Sequence, residues 1–343
     1  MRAALDETAR ALVADGKGIL AADETPRTVT KRLNARGIES TADSRRDYRE
    51  MFFRTPGVGA YISGVILQDE TIRQSTADGL RLVDLLRGQG IIPGIKVDKS
   101  TTGLAGSPRE LVTEGLDGLR ERLEEYRELG GRFAKWRAVI FIDEDLPTAM
   151  CVQANAQLLA RYAALCQEQD LVPIVEPEVM MTGPHTIERC EEVTGRVLHA
   201  VFDALFDQNV RLEGMLLKPN MVVAGKSSDR QPSVDEVAVA TLRLLRRYVP
   251  PAVPGIVFLS GGQESLQATE HLDAINRLPG PKPWKLTFSY GRALQDDAME
   301  AWAGRRENLA DAQHAFYTRA RCNGAAALGQ YAGAMETEET AST

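Results

Sequence analysis

The chain has 343 residues, 43% hydrophobic and 26% charged, with a formal net charge of −7. This is an ordinary globular composition, long enough for one large domain or two modest ones. It speaks against general nucleic-acid binding, which needs a basic face, and against a membrane protein, because no apolar run approaches the ~18 residues of a span.

The N-terminus lacks the apolar core of a signal peptide, and Asp6 and Glu7 do not suit an acid-poor transit sequence. Leu5, Ala9, Leu12 and Val13 recur at helical spacing and predict a docked helix. Short β-branched or apolar runs then start near residues 18, 59, 91, 133, 171, 213, 255 and 285. They read GILAAD, GAYISGVIL, IIPGIKVD, FAKWRAV, LVPIVEPE, EGMLLKPN, GIVFLSGG and KLTFSYG. Helical patterns with charged faces lie between most of them, at 111–129, 149–167 and 187–205.

Strands alternating with helices predict a parallel sheet. Eight units of roughly 30–40 residues each fit an α/β fold of the (β/α)8 barrel type, with an extra N-terminal helix and a C-terminal tail. A doubly wound open sheet is the alternative, but no GxGxxG follows an early strand. No linker divides the chain. Residues 1–332 read as a single catalytic barrel domain, and 333–343, which end in METEETAST, as a flexible acidic tail.

Cys151, Cys166, Cys190 and Cys322 show no CxxC spacing and read as free thiols of a reducing, cytoplasmic compartment. His185, His199, His271 and His314 show no HExxH or other ligand spacing, so neither a metal nor another cofactor is expected.

Ionisable residues gather where the runs end. The first ends at Asp23, the third carries Lys96 and Asp98, and the fourth carries Lys135 and Arg137. The fifth carries Glu176 and Glu178, the sixth ends at Lys218, and Arg292 follows the eighth. Residues at i and i+2 of a strand share a face. If that face is the barrel interior, the charges meet at the C-terminal mouth, where barrel enzymes keep their active sites. Any one of them alone reads as a surface ion pair; six strands of eight ending this way do not.

Lys218 closes an apolar strand. Burial there would penalise its ammonium form and leave an amine able to form a Schiff base with a carbonyl substrate. The competing reading is that its ammonium snorkels to the surface. Ser260-Gly261-Gly262-Gln263 and Ser289-Tyr290-Gly291-Arg292 each precede a helical pattern. Glycines admit an anion to the backbone N–H groups, and loops seven and eight commonly hold phosphate in this fold. Lys96 and the Thr25/Thr28 loop lie across the mouth, where a second phosphate fits.

GKGILAADET, GVIL, GIKVDK, FAKWR, VPIVEPE, EGMLLKPNM, FLSGGQ and LTFSYGRAL, in this order from Gly16 to Tyr331, resemble the class I fructose-bisphosphate aldolases. The resemblance implies a (β/α)8 barrel and a homo-oligomer, a tetramer with a dimer as the alternative. It implies reversible cleavage of fructose 1,6-bisphosphate to dihydroxyacetone phosphate and glyceraldehyde 3-phosphate. By that resemblance Lys218 is the Schiff-base lysine and Glu176 the carboxylate that exchanges protons with it and acts on the C4 hydroxyl. Glu178 would hold the lysine's surroundings, Asp23 would lie near the substrate hydroxyls, and Lys135 would be the second lysine of the pocket. Ser260, Gly261, Gly262, Ser289, Gly291 and Arg292 would bind one phosphate. Lys96, Thr28 and Arg45 would bind the other, with Arg137 as a further substrate-binding residue. An iminium accepts the electron pair of the breaking C3–C4 bond, so no metal is called for.

Two features depart from the family. The loop after the first strand reads Asp-Glu-Thr-Pro-Arg-Thr, where many relatives have serine and glycine, and the chain ends Ala341-Ser342-Thr343 without the terminal tyrosine of animal relatives. Two other readings remain: a Schiff-base aldolase for another phosphorylated sugar, and a non-catalytic sugar-phosphate scaffold.

Overall fold

Runs that are apolar at both odd and even positions need cover on both faces. The computed structural model, which describes residues 2–337, supplies it. The strands are β1 (Gly18–Ala21), β2 (Ile62–Leu67), β3 (Ile92–Lys96), β4 (Thr101–Leu104), β5 (Ser107–Thr113), β6 (Phe133–Ile140), β7 (Val172–Val179), β8 (Leu216–Leu217), β9 (Gly255–Phe258) and β10 (Lys285–Tyr290). The helices are α1 (Arg2–Leu12), α2 (Pro26–Asn34), α3 (Ala42–Phe53), α4 (Asp69–Ile72), α5 (Leu82–Gly88), α6 (Leu119–Leu129), α7 (Ala149–Glu168), α8 (Ile187–Asp207), α9 (Val234–Tyr248), α10 (Ser265–Arg277), α11 (Arg292–Trp302) and α12 (Leu309–Ala326). Among the described residues, β1, β2, β3, β6, β7, β8, β9 and β10 close a parallel barrel in that order, with β10 back on β1.

Strand parity sorts the side chains. Ile19, Ala21, Ile66, Phe133, Val172, Ile174, Leu216 and Val257 form one buried cluster inside the barrel. Leu20, Val65, Ile95, Trp136, Val175, Leu217, Phe258 and Phe288 belong to a second, which includes the surrounding helices. The predicted N-terminal helix is α1. Its Leu5, Ala9, Leu12 and Val13 join the inner cluster, so α1 stoppers the N-terminal end of the barrel. Gly255 makes room for it, since a Cβ there would lie 2.5 Å from Val13.

The structure departs from expectation in three places. The pattern at 111–129 is not one helix: β4 and β5 form an antiparallel hairpin through Thr113, and α6 starts only at Leu119. Thr101, Thr102, Val112 and Thr113 favour strand, and Glu110 pins the hairpin to the N-cap of α7 by accepting from Thr148 N at 2.8 Å and Thr148 Oγ1 at 2.6 Å. The runs at 59 and 213 begin as 3-10 turns before becoming strand. Finally, Gly333–Glu336 forms a 3-10 turn where a loose tail was expected. The Arg319 fork grips the Glu336 carboxylate at 2.8 and 2.9 Å, and Tyr331 OH donates to it at 2.9 Å. The rest of the expected tail, 338–343, lies outside the described residues. Among the described residues no helix is long and apolar enough to cross a membrane.

Candidate active site

The inward parity, followed past the apolar layer, leads to Asp23, Lys96, Lys135, Glu176 and Lys218 at the C-terminal ends of the strands. β8 is short, but Lys218 N donates to Val175 O at 2.8 Å and extends the ladder by one residue. Pro219 then ends it, having no N–H to give. Asn220 secures the turn: its Oδ1 accepts from Val179 N at 3.0 Å, and its Nδ2 donates to Met221 O at 3.0 Å. The Lys218 side chain is only 4% exposed, so it does not snorkel.

Four ionisable groups form a chain across the mouth. Lys218 Nζ lies 3.2 Å from Glu176 Oε1, Glu176 Oε2 lies 3.1 Å from Lys135 Nζ, and Lys135 Nζ lies 2.7 Å from Asp23 Oδ2. Buried charges persist only when paired. Burial alone would raise the Asp23 pKa, but the charges of Lys135 and Lys218 bring it down to about 2. Burial pushes Glu176 upward too, and Lys135, Lys218 and Arg137 outweigh it and hold the carboxylate below its ordinary value. Burial would deprotonate Lys135, yet Asp23, Glu176 and Asp98 hold its pKa well above the usual lysine range. At neutral pH the centre therefore contains two carboxylates and an ammonium fixed at Lys135. Among the described residues Lys135 pairs with two carboxylates and Lys218 with one.

The rim differs from expectation in its pairings. Glu178, expected beside the lysine, is ion-paired to Arg137. The two sit one step above Glu176 and Lys135 on neighbouring strands, so the same parity that aligns the inner pair aligns the outer one. Lys96 bonds Asp98 Oδ1 at 2.5 Å and, with Thr25, Asp98, Lys99 and Ser100, lines a cavity of about 400 Å³. Thr28 stands one turn into the following helix, its Oγ1 3.0 Å from Thr25 Oγ1. Arg45 is engaged elsewhere: its guanidinium holds Glu70 of α4 at 2.5 and 3.0 Å.

On the opposite side, Gly261 and Gly262 take φ of +61° and +89°, a conformation that disfavours side chains. Ser260 O accepts from Gln263 Nε2 at 3.0 Å, and Gln263 Oε1 in turn meets His271 Nδ1. Burial pushes the His271 pKa down to about 4, so the ring is neutral and serves as a brace for the glycine turn. Arg292 opens α11 directly after Gly291. Ser289, 1% exposed, has an Oγ without a hydrogen-bond partner. The sequence reading assigned no role to His271, nor to Gln295, which donates to Ala21 O at 2.8 Å and steadies the strand end that carries Asp23. A polar residue inside an apolar helix face was the available signal in both cases.

Fold and mouth together define a barrel enzyme with an amine–carboxylate centre. A family model for class I fructose-bisphosphate aldolase matches residues 4–343. A probable class 1 fructose-bisphosphate aldolase of Xanthomonas axonopodis is 57% identical over 96% of this chain and 98% of its own. A cytosolic fructose-bisphosphate aldolase of Arabidopsis thaliana is 52% identical over 95% of this chain and 83% of its own. The aldolase of Plasmodium falciparum, solved with TRAP and a small-molecule inhibitor, superposes with a TM-score of 0.95 at 49% identity, covering 96% of both chains. The chain belongs to the class I fructose-bisphosphate aldolase family, and its reaction is the glycolytic aldol cleavage of that family.

Proposed function

We propose that Lys218 is the nucleophile of that cleavage and Glu176 its acid–base partner. The observation that carries the assignment is the ordering of the charge chain: Lys135 is held as an ammonium by two carboxylates, whereas Lys218 faces Glu176 alone. In this reading the Lys218 amine attacks the C2 ketone of fructose 1,6-bisphosphate, and loss of water through Glu176 gives the iminium. Glu176 then takes the C4 hydroxyl proton. The C3–C4 pair moves to C3 and into the iminium, glyceraldehyde 3-phosphate leaves, and the enamine remains. Protonation at C3 and hydrolysis release dihydroxyacetone phosphate and free Lys218. Asp23 and the Lys135 ammonium stabilise the changing charge without reorganising.

Ser260, Gly261, Gly262, Ser289, Gly291 and Arg292 hold the phosphate next to the ketone. The unpartnered Ser289 Oγ supports this, as a group awaiting an acceptor. Lys96, with the Thr25/Thr28 loop, takes the distal phosphate, and Arg137 and Glu178 border the sugar. Arg45 acts there only after leaving Glu70. Residues 1–332 form the catalytic unit, which works in the cytoplasm as a homo-oligomer, a tetramer by family resemblance. Four buried free cysteines and the cytosolic Arabidopsis relative support the location, and a monomeric mass in light scattering would overturn the assembly.

Cleavage of fructose 1,6-bisphosphate, followed by aldehyde release, will persist undiminished in excess EDTA. Activity lost in chelator and restored by zinc would contradict the iminium route.

Arg292→Ala will raise KM for fructose 1,6-bisphosphate and fructose 1-phosphate by about tenfold to a hundredfold, the loss of a charge-assisted hydrogen bond of roughly 1.5–3 kcal/mol. Because that phosphate positions C2 against Lys218, kcat will fall as well. Lys96→Ala will narrow the preference for the bisphosphate instead. Unchanged fructose 1-phosphate kinetics in Arg292→Ala would mean that the substrate lies the other way round.

A further inference from the structure

We infer that Lys226 is a second cation for the phosphate assigned to Arg292, making this half of the mouth selective for a doubly charged phosphate monoester. The inference rests on the reading that Arg292 and the Ser260-Gly261 turn bind substrate phosphate. Lys226 lies eight residues beyond Lys218, in the loop that follows β8. Loops in that position of a barrel build the active site.

The geometry is specific. A Cβ on Gly262 would lie 3.2 Å from the Lys226 ammonium nitrogen and 3.4 Å from Arg292 Nη2. Both cations thus border the same methyl-sized space, which is open because residue 262 is glycine. Two like charges bordering one small space repel one another. Among the described residues neither takes part in an ion pair that would relieve the repulsion. A phosphate dianion between them would.

The loop's backbone is also held in place, unlike that of a lysine on a loose surface segment. Lys226 N donates to Met181 O at 2.8 Å, Gly225 N to His185 O at 2.8 Å, and Ser227 N to Gly183 O at 3.1 Å. Gln231 Nε2 closes the loop on Gly225 O at 2.9 Å. The approach is so close that a Cβ on Gly225 would fall 2.1 Å from Gly183 O. Met181 packs beneath the phosphate turn as well, its sulfur 3.3 Å from where a Gly261 Cβ would stand. The loops after β7, β8 and β9 are therefore one interlocked surface, and Lys226 is carried on it above the glycines.

The test compares Lys226→Gln, Lys226→Arg and Arg292→Ala at constant ionic strength, measuring KM for fructose 1,6-bisphosphate and the competitive inhibition constant of inorganic phosphate. Lys226→Gln should raise both by roughly fivefold to twentyfold, and Lys226→Arg should restore them to within about threefold, since it keeps the charge. If Lys226→Gln leaves phosphate inhibition intact while Arg292→Ala weakens it, the inference about Lys226 falls and the phosphate site stands. If neither variant weakens phosphate, the site itself is misassigned and the inference falls with it.

Discussion

Lys218→Met will lose more than about 10⁴-fold in kcat, because without the amine no iminium forms and only substrate positioning remains to lower the barrier. Methionine is chosen because it fills the same apolar throat without a nucleophile. The fold should survive: Glu176 keeps Lys135 as its partner at 3.1 Å, so no carboxylate is left without a cation. The backbone ladder from residue 218 to Val175 is unaffected by the side chain. A thermal melt close to the parent's, together with lost turnover, is the expected pair of results. Substantial cleavage by the variant would move the covalent chemistry to another lysine.

Glu176→Gln carries the second-largest expected loss, about 10²–10⁴-fold in kcat, the usual worth of a positioned acid or base. Glutamine keeps the shape and can still accept from one lysine, but it cannot take the C4 hydroxyl proton. The lost interaction belongs to the transition state, so kcat and kcat/KM should fall together while KM moves little. The variant also removes the one carboxylate shared by the two buried lysines, so its melting temperature should fall. A kcat within about fivefold of the parent would remove Glu176 from the proton-transfer role.

Much of this site is legible in the sequence alone, for reasons particular residues make plain. Lys135 and Arg137, and Glu176 and Glu178, are spaced by two on apolar strands, which commits each pair to one face. Once the barrel closes, adjacent strands must bring the two pairs together, and they do so with a stagger of two residues: Arg137 is the ladder partner of Glu176, while the ion pairs run from Lys135 to Glu176 and from Arg137 to Glu178. The N-terminal helix was legible through Leu5, Ala9, Leu12 and Val13, although spacing alone could not say that it would plug the barrel floor.

What stayed hidden depends on contacts between distant segments. Parity puts Glu178 on the right face but does not reveal that Arg137 takes it from the lysines. The Arg45–Glu70 pair joins helices 25 residues apart, and nothing local announces it. The charged run ERLEEYREL drew the predicted helix back to Leu111, over a hairpin whose short strands and Gly106 turn are held by the distant Thr148. Lys226 carries no local signal in the sequence, because only the interlocking of three distant loops sets it beside Arg292.

The most direct measurement is borohydride reduction of the protein in the presence of dihydroxyacetone phosphate, followed by mass mapping of its peptides. The reduced iminium is a secondary amine stable to digestion. The assignment predicts one equivalent of the substrate-derived mass, carried by Lys218. An adduct on Lys135 or Lys96, or no adduct from an enzyme that still cleaves its substrate, would contradict it.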